Sequence, residues 1–99
     1  MPLAAQTLDT GVLGTVLDPQ GGTVPAASVT ISNTAMGMSR VVKTTAEGKY
    51  EVRYLVPGEY SIEVRAPGFR SERLPAVVIP INQQVRIDFA LQVGRRQWS

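Results

Sequence analysis

Histidine and cysteine are both absent from this 99-residue chain. Without cysteine, disulfides and thiolate metal sites are excluded. Without histidine, the commonest general base and the commonest zinc ligand are missing too. Aromatic residues are few, with two Phe, three Tyr and one Trp, so there is little from which to build a stacking platform. No apolar run approaches the ~20 residues that a membrane-spanning helix requires. Charge of one sign is also scarce, since ten basic and eight acidic residues leave a net +2. Arg95 and Arg96 account for that whole excess, so the remainder is balanced. A nucleic-acid groove needs a clustered basic stripe. None stands in this sequence, and no nucleic-acid partner is expected.

What is present is sheet. Apolar residues make up 43% of the chain, enough for one domain with a single two-layer core. The clearest run is Gly48 to Val64. Two alternating strands flank Pro57-Gly58, with Tyr50 and Val52 on one face of the first and Tyr60, Ile62 and Val64 on one face of the second. Charged and polar residues, Glu51, Arg53, Ser61, Glu63 and Arg65, take the alternate positions. This is the period of half-buried antiparallel sheet.

The same reading extends in both directions. Strands are expected at about Thr10 to Leu17, Ala27 to Asn33, Ser39 to Thr45, a short Val77 to Ile79 bracketed by Pro75 and Pro80, and Gln84 to Gln92. Asp18-Pro19-Gln20-Gly21-Gly22 and Ala46-Glu47-Gly48-Lys49 read as turns, with Gly48 at a left-handed position. Arg70 to Arg73 reads as a charged surface loop. No window keeps a helical period, and seven short strands spaced by turns read as an all-β sandwich, with a small barrel as the alternative. Residues 1–9 are a lead-in, 10–94 the sandwich and 95–99 a polar tail. Leu3-Ala4-Ala5-Gln6 is similar to the end of a secretory signal peptide.

A pattern then emerges across the chain. Gly14-x-Val16-x-Asp18, Gly21 and Val24-Pro25-x-Ala27-x-Val29-x-Ile31 open it. Thr44-x-x-Glu47-Gly48-x-Tyr50-x-Val52-x-x-Leu55-x-Pro57-Gly58-x-Tyr60-x-Ile62 continues it. Val64-x-Ala66-x-Gly68-Phe69 and Phe89-x-Leu91 close it. Over residues 11–94 this resembles the carboxypeptidase regulatory-like domain. The resemblance implies an all-β fold, a seven-stranded antiparallel Greek-key β-sandwich of prealbumin-like type. The wording of Gly14 to Gly22 and of Leu91 to Gly94 is similar to one subgroup, the N-terminal extensions of TonB-dependent, Oar-like outer-membrane receptors. That implies a periplasmic or outer-membrane location, attachment to the membrane only through a larger parent chain, and a protein partner in the cell envelope. Thr45 departs from the pattern, because the family commonly has Asp before this turn.

Candidate sites are weighed against that frame. Glu51 and Glu63 would lie near one another if the fourth and fifth strands pair, flanked by Arg53 and Arg65, and such alternating charge reads as a solvated outer face. Asp18, Glu47, Glu59 and Asp88 are scattered, without calcium-loop spacing. No catalytic residue, metal ligand or cofactor is expected. Starch-binding modules share this architecture, so an oligosaccharide is the competing partner. By parity Tyr50, Tyr60 and Phe89 belong to the core, and Phe69 plugs one end. Tyr54 and Trp98 remain as candidate sugar contacts. The core itself is expected from Val16, Val29, Ile31, Tyr50, Val52, Leu55, Tyr60, Ile62, Val64, Ile87, Phe89 and Leu91. Free edges are expected at Ser39 to Thr45 and Val77 to Ile79, with Val42→Pro as the edge-disrupting variant.

Overall fold

The computed structural model describes residues 9–94. Eight strands follow in chain order: β1 (Gly11–Leu17), β2 (Ser28–Asn33), β3 (Met38–Lys43), β4 (Lys49–Val52), β5 (Gly58–Arg65), β6 (Glu72–Ile79), β7 (Gln84–Arg86) and β8 (Phe89–Ala90). They form two sheets. One has the order β4-β1-β7, with β8 also on β1, and the other has the order β3-β2-β5-β6.

Three expectations change. The last strand is not continuous but breaks between Arg86 and Phe89 into β7 and β8. Its pairing with β1 is parallel in both pieces, not antiparallel. At the break the Asp88 carboxylate takes the place of a backbone acceptor and receives the Thr15 N–H at 2.8 Å. The sixth strand is longer than Val77 to Ile79 and takes in Glu72 and Arg73, which read as loop. Pro75 is tolerated there because β6 is an edge and its register against β5 shifts between Tyr60 and Ile62. A proline at an irregular point of an edge strand removes no needed ladder bond.

The faces follow sequence parity. Each core residue named above is buried except Ile87, which is half-buried against the cluster. Val12, Val24, Ala27 and Ile79 join them. The buried polar side chains are satisfied, as a dry interior requires. Thr44 Oγ1 accepts the Ala27 N–H at 2.8 Å and donates to Val24 O at 2.7 Å. Thr10 Oγ1 accepts the Asn82 N–H at 2.8 Å.

Two glycines are dictated by their surroundings. Gly48 has φ +74, and a Cβ there would come within 2.9 Å of Val16 O. Gly14 lies where a Cβ would meet Ile87 O at 1.8 Å. The turn before Gly48 closes without an aspartate. Thr45 Oγ1 accepts the N–H groups of Glu47 and Lys49, each at 3.2 Å, so the hydroxyl does the capping that a carboxylate could do.

Candidate functional site

Tyr54 lies in the β4–β5 connection with φ +59, an unusual conformation for a bulky residue. The residue is 59% exposed. The chain on either side is fixed from three directions. Leu55 N–H donates to Thr10 O at 2.8 Å. Arg40, from β3, donates to Arg53 O at 2.9 Å and to Tyr54 O at 3.3 Å. Arg53 places its guanidinium carbon 5.6 Å from the centre of the Tyr54 ring, within cation–π range. Trp98 falls outside the described residues.

The Arg53 guanidinium also donates to Asp9 Oδ1 at 2.9 Å. The same carboxylate oxygen accepts from Gln84 Nε2 at 2.8 Å. These bonds, Arg53 first and Gln84 second, hold the Asp9 carboxyl below its ordinary value. Asp9, Gln84 and Arg40 were not legible as a group. The one available signal was Arg40 itself, an arginine at an inward parity position of a strand.

Glu51 and Glu63 do not approach through strand pairing. β4 pairs with β1, and Glu51 stands opposite Leu13. β5 pairs with β2 and β6 in the other sheet, where Glu63 stands opposite Thr30 and Arg73. Each acid keeps its own arginine instead. Arg53 is 3.8 Å from Glu51 and Arg65 is 3.2 Å from Glu63. The other carboxylates serve the backbone. Asp18 Oδ1 accepts from Gln20 N–H at 2.9 Å and Gly22 N–H at 2.8 Å, closing its own turn. Among the described residues no three side chains of Asp or Glu gather where a metal ion could be shared.

Among the described residues, the shallow clefts include these two. One of about 250 Å³ lies on the outer face of the first sheet, over Leu13, Thr15, Glu51 and Arg86. The other, about 330 Å³, lies at the end where Val24, Pro25, Ala66, Pro67 and Phe69 meet. Tyr54 lines neither.

The edges differ from one another. β4 is short, and Arg40 occupies the carbonyls that follow it. β7 and β8 have three residues and two. β6 carries Pro75 and the register shift. β3 is regular over six residues and paired along its inner side to β2. Thr44 N–H donates to Ala27 O at 2.9 Å. Hydrogen-bonded pairs alternate from there, so Val42 and Arg40 direct their backbone to β2. Ser39, Val41 and Lys43 direct theirs outward. Val42→Pro would therefore break the inner ladder, and Val41 is the position that tests the edge.

Comparison with known proteins adds the family. The model of the family described as "Carboxypeptidase regulatory-like domain" matches residues 11–92. The chain is 29% identical over 90 residues to the TonB-dependent transporter Oar of Myxococcus xanthus, covering 89% of this chain and 8% of that protein. Its fold is similar to that of hydroxyquinol 1,2-dioxygenase from Pseudomonas putida, with a TM-score of 0.69 and 11% identity over 92% of this chain and 58% of the other. It is similar as well to a putative carbohydrate binding protein from Bacteroides uniformis, with a TM-score of 0.66 and 15% identity over 82% of this chain and 40% of the other. At these identities the structural likeness is one of fold. The chain spans only a small part of the transporter's length.

Proposed function

The chain belongs to the carboxypeptidase regulatory-like domain family, and from that premise we propose that it is a non-catalytic accessory β-sandwich that acts by contact with protein in the cell envelope, as part of a TonB-dependent outer-membrane receptor. The observation that carries this reading is the 29% identity to a TonB-dependent transporter across 89% of the chain. The internal use of the polar groups supports it. Asp18, Asp88, Thr44 and Thr45 are engaged with backbone, and Asp9 with Arg53 and Gln84, which leaves backbone edge and outer faces as the means of recognition.

A second reading, a carbohydrate-binding module of starch-binding-like type, has one observation in its favour, the exposed ring of Tyr54. A single ring flanked by an arginine is a small platform for a sugar.

The test of the first reading is fractionation. An antibody raised against this chain should detect a large polypeptide in the outer-membrane fraction of the source cells. A small soluble species confined to the cytoplasm would overturn the assignment. A glycan array separates the second reading: specific oligosaccharide binding that is lost in Tyr54→Ala would favour it over the first.

A further inference from the structure

We propose that the outer edge of β3 receives an extended acidic segment of a partner protein, which adds to the second sheet as a fifth strand. The inference rests on the accessory-domain reading and names the surface and the chemistry of its partner.

The geometry starts with what each edge offers. A free edge is a template for a further strand, and folded proteins blunt edges they do not use. Three of the four are blunted here, by shortness and the Arg40 bonds at β4, by the break at Asp88 beside β7 and β8, and by Pro75 with its register shift in β6. β3 has six residues, no proline and an unbroken register from Ser28–Lys43 to Asn33–Met38. Its outward backbone groups belong to Ser39, Val41 and Lys43. The side chains of the same three residues stand on the outer face, and Val41 is 60% exposed.

Charge selects the occupant. Arg40 and Lys43 both lie on this strand, and among the described residues neither has a carboxylate within ion-pairing distance. Arg40 is bonded to carbonyl oxygens, which leaves its positive charge uncompensated. A second copy of β3 would bring two such strands together, and like charges oppose that. A strand with carboxylates beside Lys43 and an apolar residue beside Val41 is favoured on both counts. Backbone bonds supply the affinity and the side chains the selection, while complementary charge speeds and orients the encounter.

The test uses the intact chain and a fluorescent, end-capped peptide of repeating Thr-Val-Thr-Glu, whose one face presents valine and glutamate in turn as Val41 and Lys43 require, with a Thr-Val-Thr-Lys peptide of the same length as control. Binding is read by anisotropy in low salt, alongside sedimentation of the chain alone. The valine–glutamate peptide should bind at least tenfold more tightly than the valine–lysine peptide. Val41→Pro should abolish binding, and Lys43→Glu, which leaves the backbone intact, should reverse the preference. Equal binding of both peptides, unchanged binding by Lys43→Glu, or dimers of the chain that Lys43→Glu strengthens or leaves intact would overturn the proposal. An envelope partner that Val41→Pro and Lys43→Glu still capture would also overturn it, while leaving the accessory-domain reading in place.

Discussion

The hydroxyl of Tyr50 donates to the carbonyl oxygen of Ile87 at 2.6 Å, across the first sheet from β4 to the break between β7 and β8. Ile87 N–H donates in turn to Leu13 O at 2.8 Å. The break is thus anchored from both sides, and the Tyr50 ring beneath it packs 6.4 Å from Phe89.

Burial, reinforced by the Asp88 carboxylate, pushes the Tyr50 phenol well above the ordinary tyrosine range. The folded state favours the neutral phenol. Its contribution is therefore complete below pH ~10, the unfolded value, and is lost as pH rises from there toward the folded value. Tyr50→Phe should cost about 1 kcal/mol at pH 8. The gap to wild type should narrow above pH ~10. Urea unfolding at the two pH values checks both statements, and a gap that widens in alkali would contradict them.

Gly14 meets the same carbonyl from the other side. Gly14→Ala would put a Cβ 1.8 Å from Ile87 O and 3.0 Å from the Tyr50 ring. The cost should be at least about 1–3 kcal/mol, because backbone rather than a flexible side chain has to move. A chain that melts within a degree of wild type would show that β7 and β8 are held less firmly than the bonds imply.

Thr44 binds the Pro25-Ala26 corner through one hydroxyl, with bonds to Val24 O and Ala27 N–H. Thr44→Val keeps the shape and leaves both backbone groups unpaired. The expected loss is about 1–3 kcal/mol, with most of it recovered in Thr44→Ser. Chemical denaturation of the pair measures it.

Asp9 gives an acid counterpart. Its carboxyl is held low by Arg53 and Gln84, so its contribution is present above the unfolded value near pH ~4 and fades as pH falls through the folded value. Asp9→Asn should be less stable than wild type at pH 7 and equal to it in strong acid. The difference should also shrink in salt, since the pair is solvent-exposed.

Parity made most of this fold legible. Tyr60 shows why. Its alternation with Ile62 and Val64 placed it inward, and a buried phenol beneath a Pro-Gly corner needs a backbone partner, which is Val56 O at 2.5 Å. Parity failed where a side chain replaced a ladder bond. Nothing in Ile87-Asp88 announces that the Asp88 carboxylate will serve the Thr15 N–H and split a strand. Parity also says nothing of which strand a sheet places alongside another: Glu51 and Glu63 would be neighbours only if β4 and β5 paired, and those strands lie in different sheets. The Tyr54 corner needed Arg40, Arg53, Asp9 and Gln84 from four separate segments. Such a network has no local signature. The open edge at β3 was legible, because Ser39 to Thr45 is β-branched and free of proline, but which amides point outward depended on the Thr44–Ala27 bond.

Backbone hydrogen exchange of the chain, free and bound to the valine–glutamate peptide, tests the central claim most directly. The amides of Ser39, Val41 and Lys43 should exchange fast when free and become protected in the complex, while those of Arg40 and Val42, already paired to β2, change little. Protection that falls on the outer face of the first sheet or along β6, with Val41 still fast, would contradict recognition through the β3 edge.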